Sequence, residues 1–342
     1  MFSESKLASS MISDIERSVV FLELKKRLLN LGKSASLVDY LNLRKGQSLS
    51  ARQLVKELFS RAGFERILID ESYRPGEMLN SSEFEAVTGV KVSRIARIEP
   101  ILEMLIGQCA SAEEVESRLE RSLFPPRDKA LVALKTIVCY RGGLSIYEVD
   151  RDDALANFAD CRRDVISHGR IRRSSYYHHL LLKAFDLAIA RDLPVQVHCG
   201  LGDDDADLSL SNPDLLHRLL RKPRFSSLKL VLLHCYPFQK EAAILASLYP
   251  HVYFDLSLAS FLLAEQGQLY SQVLASAPYS KILAGTDGHS QPETYHQGAM
   301  ALRQGLSSAL WHFEQKGSIS RDEAGQIENA VLHGNARQLY RL

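Results

Sequence analysis

Three residues of this 342-residue chain have types and positions suited to metal chemistry. His198 closes the apolar run PVQVHCG, His234 closes LKLVLLHC, and Asp287 closes KILAGTDG. Neutral imidazole and carboxylate are the usual ligands of a catalytic zinc or similar divalent ion. Such a site draws its ligands from separate elements that converge in space. A hydrolytic ion also needs a base beside it to take a proton from the attacking water, and a strand-end aspartate can both touch the ion and take that proton. One histidine at a strand end is more often a satisfied polar cap. Two histidines and an aspartate at the same end of three runs read as a set.

The elements that must position these residues alternate in type. Short apolar runs occur at ERILID (65–70), SRIARIEP (93–100), ALKTIVCY (133–140), PVQVHCG (194–200), LKLVLLHC (228–235), HVYFDLS (251–257) and KILAGTDG (281–288). Helical patterns lie between most of them, at 111–122, 174–191, 212–222, 238–249 and 258–276, and two more fill the chain from 293 onward. Apolar strands alternating with helices predict a parallel sheet covered on both faces. A doubly wound sheet would carry a phosphate-binding glycine turn after its first strand, and neither GxGxxG nor GxxxxGK[ST] occurs. Polar residues at the ends of several strands instead predict an α/β fold of the (β/α)₈ TIM-barrel type.

Seven strands are legible where such a barrel needs eight. The preceding residues read as helices: 11–31 with a stop at Gly32, 35–42, and a third from an N-cap at Ser50 to a stop at Gly63. SVVFLEL (18–24) sits inside a helical pattern, so the first barrel strand is expected to be missing. The expected organisation is a helical segment (1–64) packed on a barrel (65–342) holding strands two to eight, with Met1 lying downstream of the protein's true start.

A net charge of +1 gives no bulk field toward nucleic acid or membrane, so neither is expected as a partner. No run approaches a membrane span, and the first residues lack a charged head followed by an apolar stretch. The five cysteines form no CxxC pair, which points to a reducing, cytoplasmic setting. The expected partner is a small-molecule substrate; a homo-oligomer is left open.

VQVHCG, LLHCYP and GTDGH, in this order, resemble strands five, six and eight of the amidohydrolase superfamily. The closer likeness is to the branch called amidohydrolase 2, and within it to the domain found ahead of glutamine synthetase in nodulin-type fusion proteins. ALKTIVCYRGGL (133–144) is similar to that branch's fourth strand, GTDGHSQPETYHQGA (285–299) to its eighth strand and following helix, and HGNARQLYRL (333–342) to its C-terminal helix. The resemblance implies a divalent metal, zinc or alternatively manganese. It makes His198 a ligand, and gives His234 a second metal or the substrate carbonyl. Asp287 would be ligand and proton-transfer base. Lys135 stands where some members carry a carboxylated lysine bridging two metals; the alternative is an ion pair, with the Asp255 region a candidate partner. Tyr140 and Arg141 would face the substrate, Arg141 offering its planar fork to a carboxylate or else forming a structural salt bridge. His289 and Glu293 would line the pocket or support it. His178, His179, His217, His251 and His312 read as solvated, and His168 and His333 are left open.

One departure divides the functional reading. The superfamily's first strand ends in His-x-His, and no such motif occurs here. The adjacent pair His178–His179 would point to opposite faces of a strand. One reading is a metal-dependent hydrolase acting on an amide or other C–N bond of a small, glutamyl or amino-acid-derived substrate, with a decarboxylase as a variant. The other is a catalytically impaired barrel that binds a ligand or partner.

Overall fold

The computed structural model describes residues 9–32, 36–45, 51–72, 79–126, 128–264 and 266–342. Seven strands form one parallel sheet in chain order: β1 (Arg66–Asp70), β2 (Lys91–Arg97), β3 (Leu131–Thr136), β4 (Val195–Cys199), β5 (Leu230–His234), β6 (Val252–Asp255) and β7 (Ile282–Leu283). Every neighbouring pair is parallel, with His198 beside Leu233 across β4 and β5 and Arg97 beside Lys135 across β2 and β3. The sheet is a curled, incomplete TIM barrel. β1 and β7 do not pair with each other, and no eighth strand lies among the described residues.

The run SVVFLEL falls within the helix Val19–Gly32. The helix Ala51–Ala62 packs on both Pro292–Gln315 and Ser81–Thr88. It therefore bridges the helices on either side of the gap between β1 and β7. The start of the 35–42 helix and the Ser50 cap lie outside the described residues.

Two cores follow from the alternation of side chains along a strand. Leu134, Val195, Val197, Leu230, Leu232, Val252, Phe254 and Ile282 point outward into the main core against the helices. Ile95, Ala133, Val231, Leu233 and Leu283 point inward to a second cluster, closed at one end by Leu339 and Tyr340 of the last helix. Gln196 Nε2 donates to the buried Tyr340 hydroxyl at 2.9 Å, which satisfies both groups inside the barrel.

Several boundaries differ from the sequence reading. β2 stops at Arg97 because Pro100 lies in the first turn of the helix Ile98–Gln108, where its missing N–H is no loss. Cys139 and Tyr140 belong to a helical turn, Cys139–Gly142, and not to β3. The 258–276 stretch divides into Ala259–Leu262 and Gly267–Leu274. His178 and His251 are buried, not solvated. The helix Ser175–Ala190 buries nine residues, and His178 on it stacks on Tyr147 and accepts from the Tyr147 amide. Burial lowers His178 to about 4.

Candidate active site at the strand ends

The inward set of five strands ends in a polar residue: Asp70 on β1, Arg97 on β2, Lys135 on β3, His198 on β4 and Asp255 on β6. These face one cavity of about 820 Å³ that runs between the strands and past the β1–β7 gap to Glu65, His333 and Arg337 at the far end. His234 does not follow its strand's alternation. Leu230 and Leu232 point outward, so position 234 should do the same. Instead His234 has φ +69°, a left-handed backbone that turns its ring toward His198. The two ring centroids lie 4.4 Å apart. Asp287 is also left-handed, at φ +53°. Such residues cost on the order of 1–3 kcal/mol each and cluster at functional sites.

A hydrogen-bond chain orders His234. Ser257 Oγ donates to Asp255 Oδ1 at 2.7 Å, and the Oδ1 atom also accepts the His234 and Ser257 amides. With the serine proton so used, His234 Nδ1–H donates to Ser257 Oγ at 2.7 Å. That tautomer leaves the Nε2 lone pair for a ligand, the arrangement by which outer groups orient metal-bound histidines. Asp287 Oδ2 lies 3.7 Å from His234 Nδ1. Burial, with a contribution from Lys135, holds His234 well below the usual imidazole range. Burial does the same for His198, reinforced by His234 and Lys135. Burial also lifts Asp255 to about 6.

Tyr140 Oη sits 3.2 Å from His198 Nε2 and accepts the Asp203 amide. The hydroxyl thus stands against the ring nitrogen that an ion would use. Gly202 permits this approach, since a Cβ there would fall 1.8 Å from Tyr140 Oη. Lys135 has its ion pair with Asp70, at 3.4 Å, rather than with the Asp255 region. Arg141 lines the cavity with its Nη2 3.2 Å from Glu103, the salt-bridge alternative. His289 lines the cavity and lies 3.1 Å from the Asp287 carbonyl. Glu293 is not brought to the cavity wall: it is buried on the helix Pro292–Gln315 and accepts from Tyr40. The site gathers Asp70, Arg97 and Ser257 as well, none of them singled out from sequence, together with Asp255, which the sequence offered only as a partner for Lys135. The position rule that picks His198, a polar residue closing an apolar run, applies equally to Asp70, which closes ERILID.

The donors fit a divalent ion in kind: two neutral imidazoles with a carboxylate at their side. Among the described residues no three such donors stand grouped in coordination geometry.

Parallel strands curled into a barrel, with imidazole and carboxylate groups at their C-terminal ends, define the class of TIM-barrel proteins with a candidate metal centre. The chain belongs to the amidohydrolase family, whose sequence profile matches residues 156–342. It is similar to protein fluG of Emericella nidulans, with 31% identity over 227 residues, 63% of this chain. That match covers 26% of the fluG protein, so the chain spans about a quarter of the curated relative. Its structure is similar to that of a protein from Lactobacillus casei described as a metal-dependent hydrolase, at 26% identity and TM-score 0.86, covering 96% of this chain and 86% of the other. A uronate isomerase from Thermotoga maritima shares the fold at 16% identity and TM-score 0.67, over 93% of this chain and 77% of that one.

Proposed function

We propose that the chain is a metal-dependent hydrolase that cleaves an amide or other C–N bond of a small, amino-acid-derived substrate. The observation that carries this reading is the convergence of His198, His234 and Asp287 on one cavity wall, with both imidazoles kept neutral by burial. His198, His234 and Asp287 would hold the ion, and Lys135, already paired to Asp70, stands behind them. A divalent ion there, zinc or manganese, would supply carbonyl polarisation and a lower pKa for water. Asp287 takes the proton from the attacking water and returns it to the leaving nitrogen. His234 is kept in one orientation by Ser257 and Asp255, and points Nε2 at the ion or at the substrate carbonyl. Tyr140, next to His198, is placed to donate to a substrate oxygen. His289 and Arg141 bound the cavity, whereas Glu293 supports the wall from behind.

The resemblance to a metal-dependent hydrolase of Lactobacillus casei and membership of the amidohydrolase family support the reaction class. The gap between β1 and β7 favours a second reading, a barrel that binds without turnover. A panel of γ-glutamyl and other N-acyl amino-acid amides, assayed with added zinc or manganese, separates the two. Ammonia or amine release that is lost in His198→Ala supports the hydrolase; binding without release in every case supports the second reading.

A further inference from the structure

A charged trio beside the two histidines has no part in the proton transfers above. Asp70 ends β1, Arg97 ends β2 and Lys135 lies near the end of β3. Arg97 Nε and Nη2 both donate to Asp70 Oδ2, at 2.8 and 2.5 Å, and Lys135 Nζ is 3.4 Å from the same oxygen. The three side chains are only 9–13% exposed. Burial would push the Asp70 carboxyl up, but Lys135 and Arg97 outweigh it and hold the group below its ordinary value. Two cations thus share one carboxylate, and the trio keeps one positive charge in a poorly solvated place.

Among the described residues Arg97 Nη1 has no acceptor, and Lys135 has none besides Asp70. All three residues line the cavity. Arg141, the neighbouring cation, is paired with Glu103 through Nη2, and its buried Nε has no partner among the described residues. An uncompensated buried charge is costly, and an anion entering the cavity relieves it.

We propose that Arg97 and Lys135 form an anion subsite for a substrate carboxylate, fixed by Asp70, so that the chain selects substrates carrying a carboxylate near the bond to be cleaved. A monoanionic carboxylate matches the single excess charge, one oxygen on Nη1 of Arg97 and one on Nζ of Lys135. A phosphate dianion would leave surplus negative charge close to Asp255 and Asp287. The words "near the bond to be cleaved" rest on the hydrolase reading; the subsite does not.

Calorimetric titration of the purified full chain with glutarate, its dimethyl ester and inorganic phosphate tests this. Glutarate should bind with the ester and phosphate at least roughly tenfold weaker, and Arg97→Gln should weaken glutarate by roughly tenfold or more, the worth of a hydrogen bond to a charged group. Arg97→Lys and Lys135→Gln, each confirmed folded by circular dichroism, should give intermediate losses, and Arg141→Gln a smaller loss than Arg97→Gln. Absence of glutarate binding, equal binding of the ester, tighter phosphate binding, or an Arg141→Gln loss as large as that of Arg97→Gln would each overturn the subsite. Glutarate binding that depends on Arg97 in a chain that releases no amine keeps the subsite and removes the hydrolase reading. Equal turnover of neutral and carboxylated amides does the reverse.

Discussion

At the scale of single residues, the account rests on which groups carry charge and which way they point. Asp287 is the base in the proposed reaction, and its side chain is about one-third exposed. Replacing it with asparagine keeps shape and removes basicity, so Asp287→Asn should lower amine release by roughly 10²–10⁴-fold while the thermal midpoint stays close to that of the parent. Retained turnover would take Asp287 out of the mechanism. The buried histidines give a pH dependence with a definite sign. Both have folded-state pKa values well below the ordinary 6.5, so the folded chain resists protons that the unfolded chain accepts. Their contribution to stability is therefore present above pH ~6.5 and is lost as pH falls below it, by up to ~1.4 kcal/mol per pH unit for each histidine. Urea midpoints of metal-free protein between pH 7 and 5 should show this slope, and His198→Asn should reduce it. His198 and Asp287 were legible in the sequence because each closes an apolar run. The inward turn of His234 was not, because it depends on a left-handed backbone that no residue pattern announces.

At the scale of elements, the strand ends do the positioning, and two glycines show how closely the loops approach. Gly200 follows β4 at φ +70°, and a Cβ there would lie 2.3 Å from the Tyr236 carbonyl oxygen. Gly200→Ala should destabilise the fold by about 1–3 kcal/mol, read from denaturant midpoints. Gly202→Ala acts differently: its Cβ would meet the Tyr140 hydroxyl and His198 Nε2, both side-chain atoms. It should displace Tyr140 and lower activity with a smaller change in midpoint. Strand order was readable from apolar runs separated by helices. Strand ends were less so: KILAGTDG is regular only at Ile282–Leu283, after which the chain turns to present Asp287. Asp70 and Arg97 escaped notice for a related reason. Charged residues at strand ends are common, and only the pairing of β1 with β2 brings these two into one ion pair.

At the scale of the whole molecule, helices cover a sheet whose described strands leave β1 and β7 unpaired with each other. The helix Ala51–Ala62 bridges Pro292–Gln315 and Ser81–Thr88, so the outer layer holds the curl where no eighth strand lies among the described residues. The β1 amides facing the gap have no neighbouring strand among the described residues, and should exchange hydrogen at least roughly tenfold faster than those of β4 or β5. Equal protection would mean that the gap is closed in solution. The incomplete barrel was legible as a count of seven runs; that a helix would bridge the gap was not, because nothing in a helix's own pattern says which neighbours it meets. The central claim is that the strand ends form a metal site. Elemental analysis of the purified chain, with His198→Ala beside it, tests that most directly. The account predicts about one tightly held divalent ion per chain, zinc or manganese, lost in His198→Ala. A chain that holds no metal after exposure to both ions, or one whose metal survives His198→Ala, would contradict it.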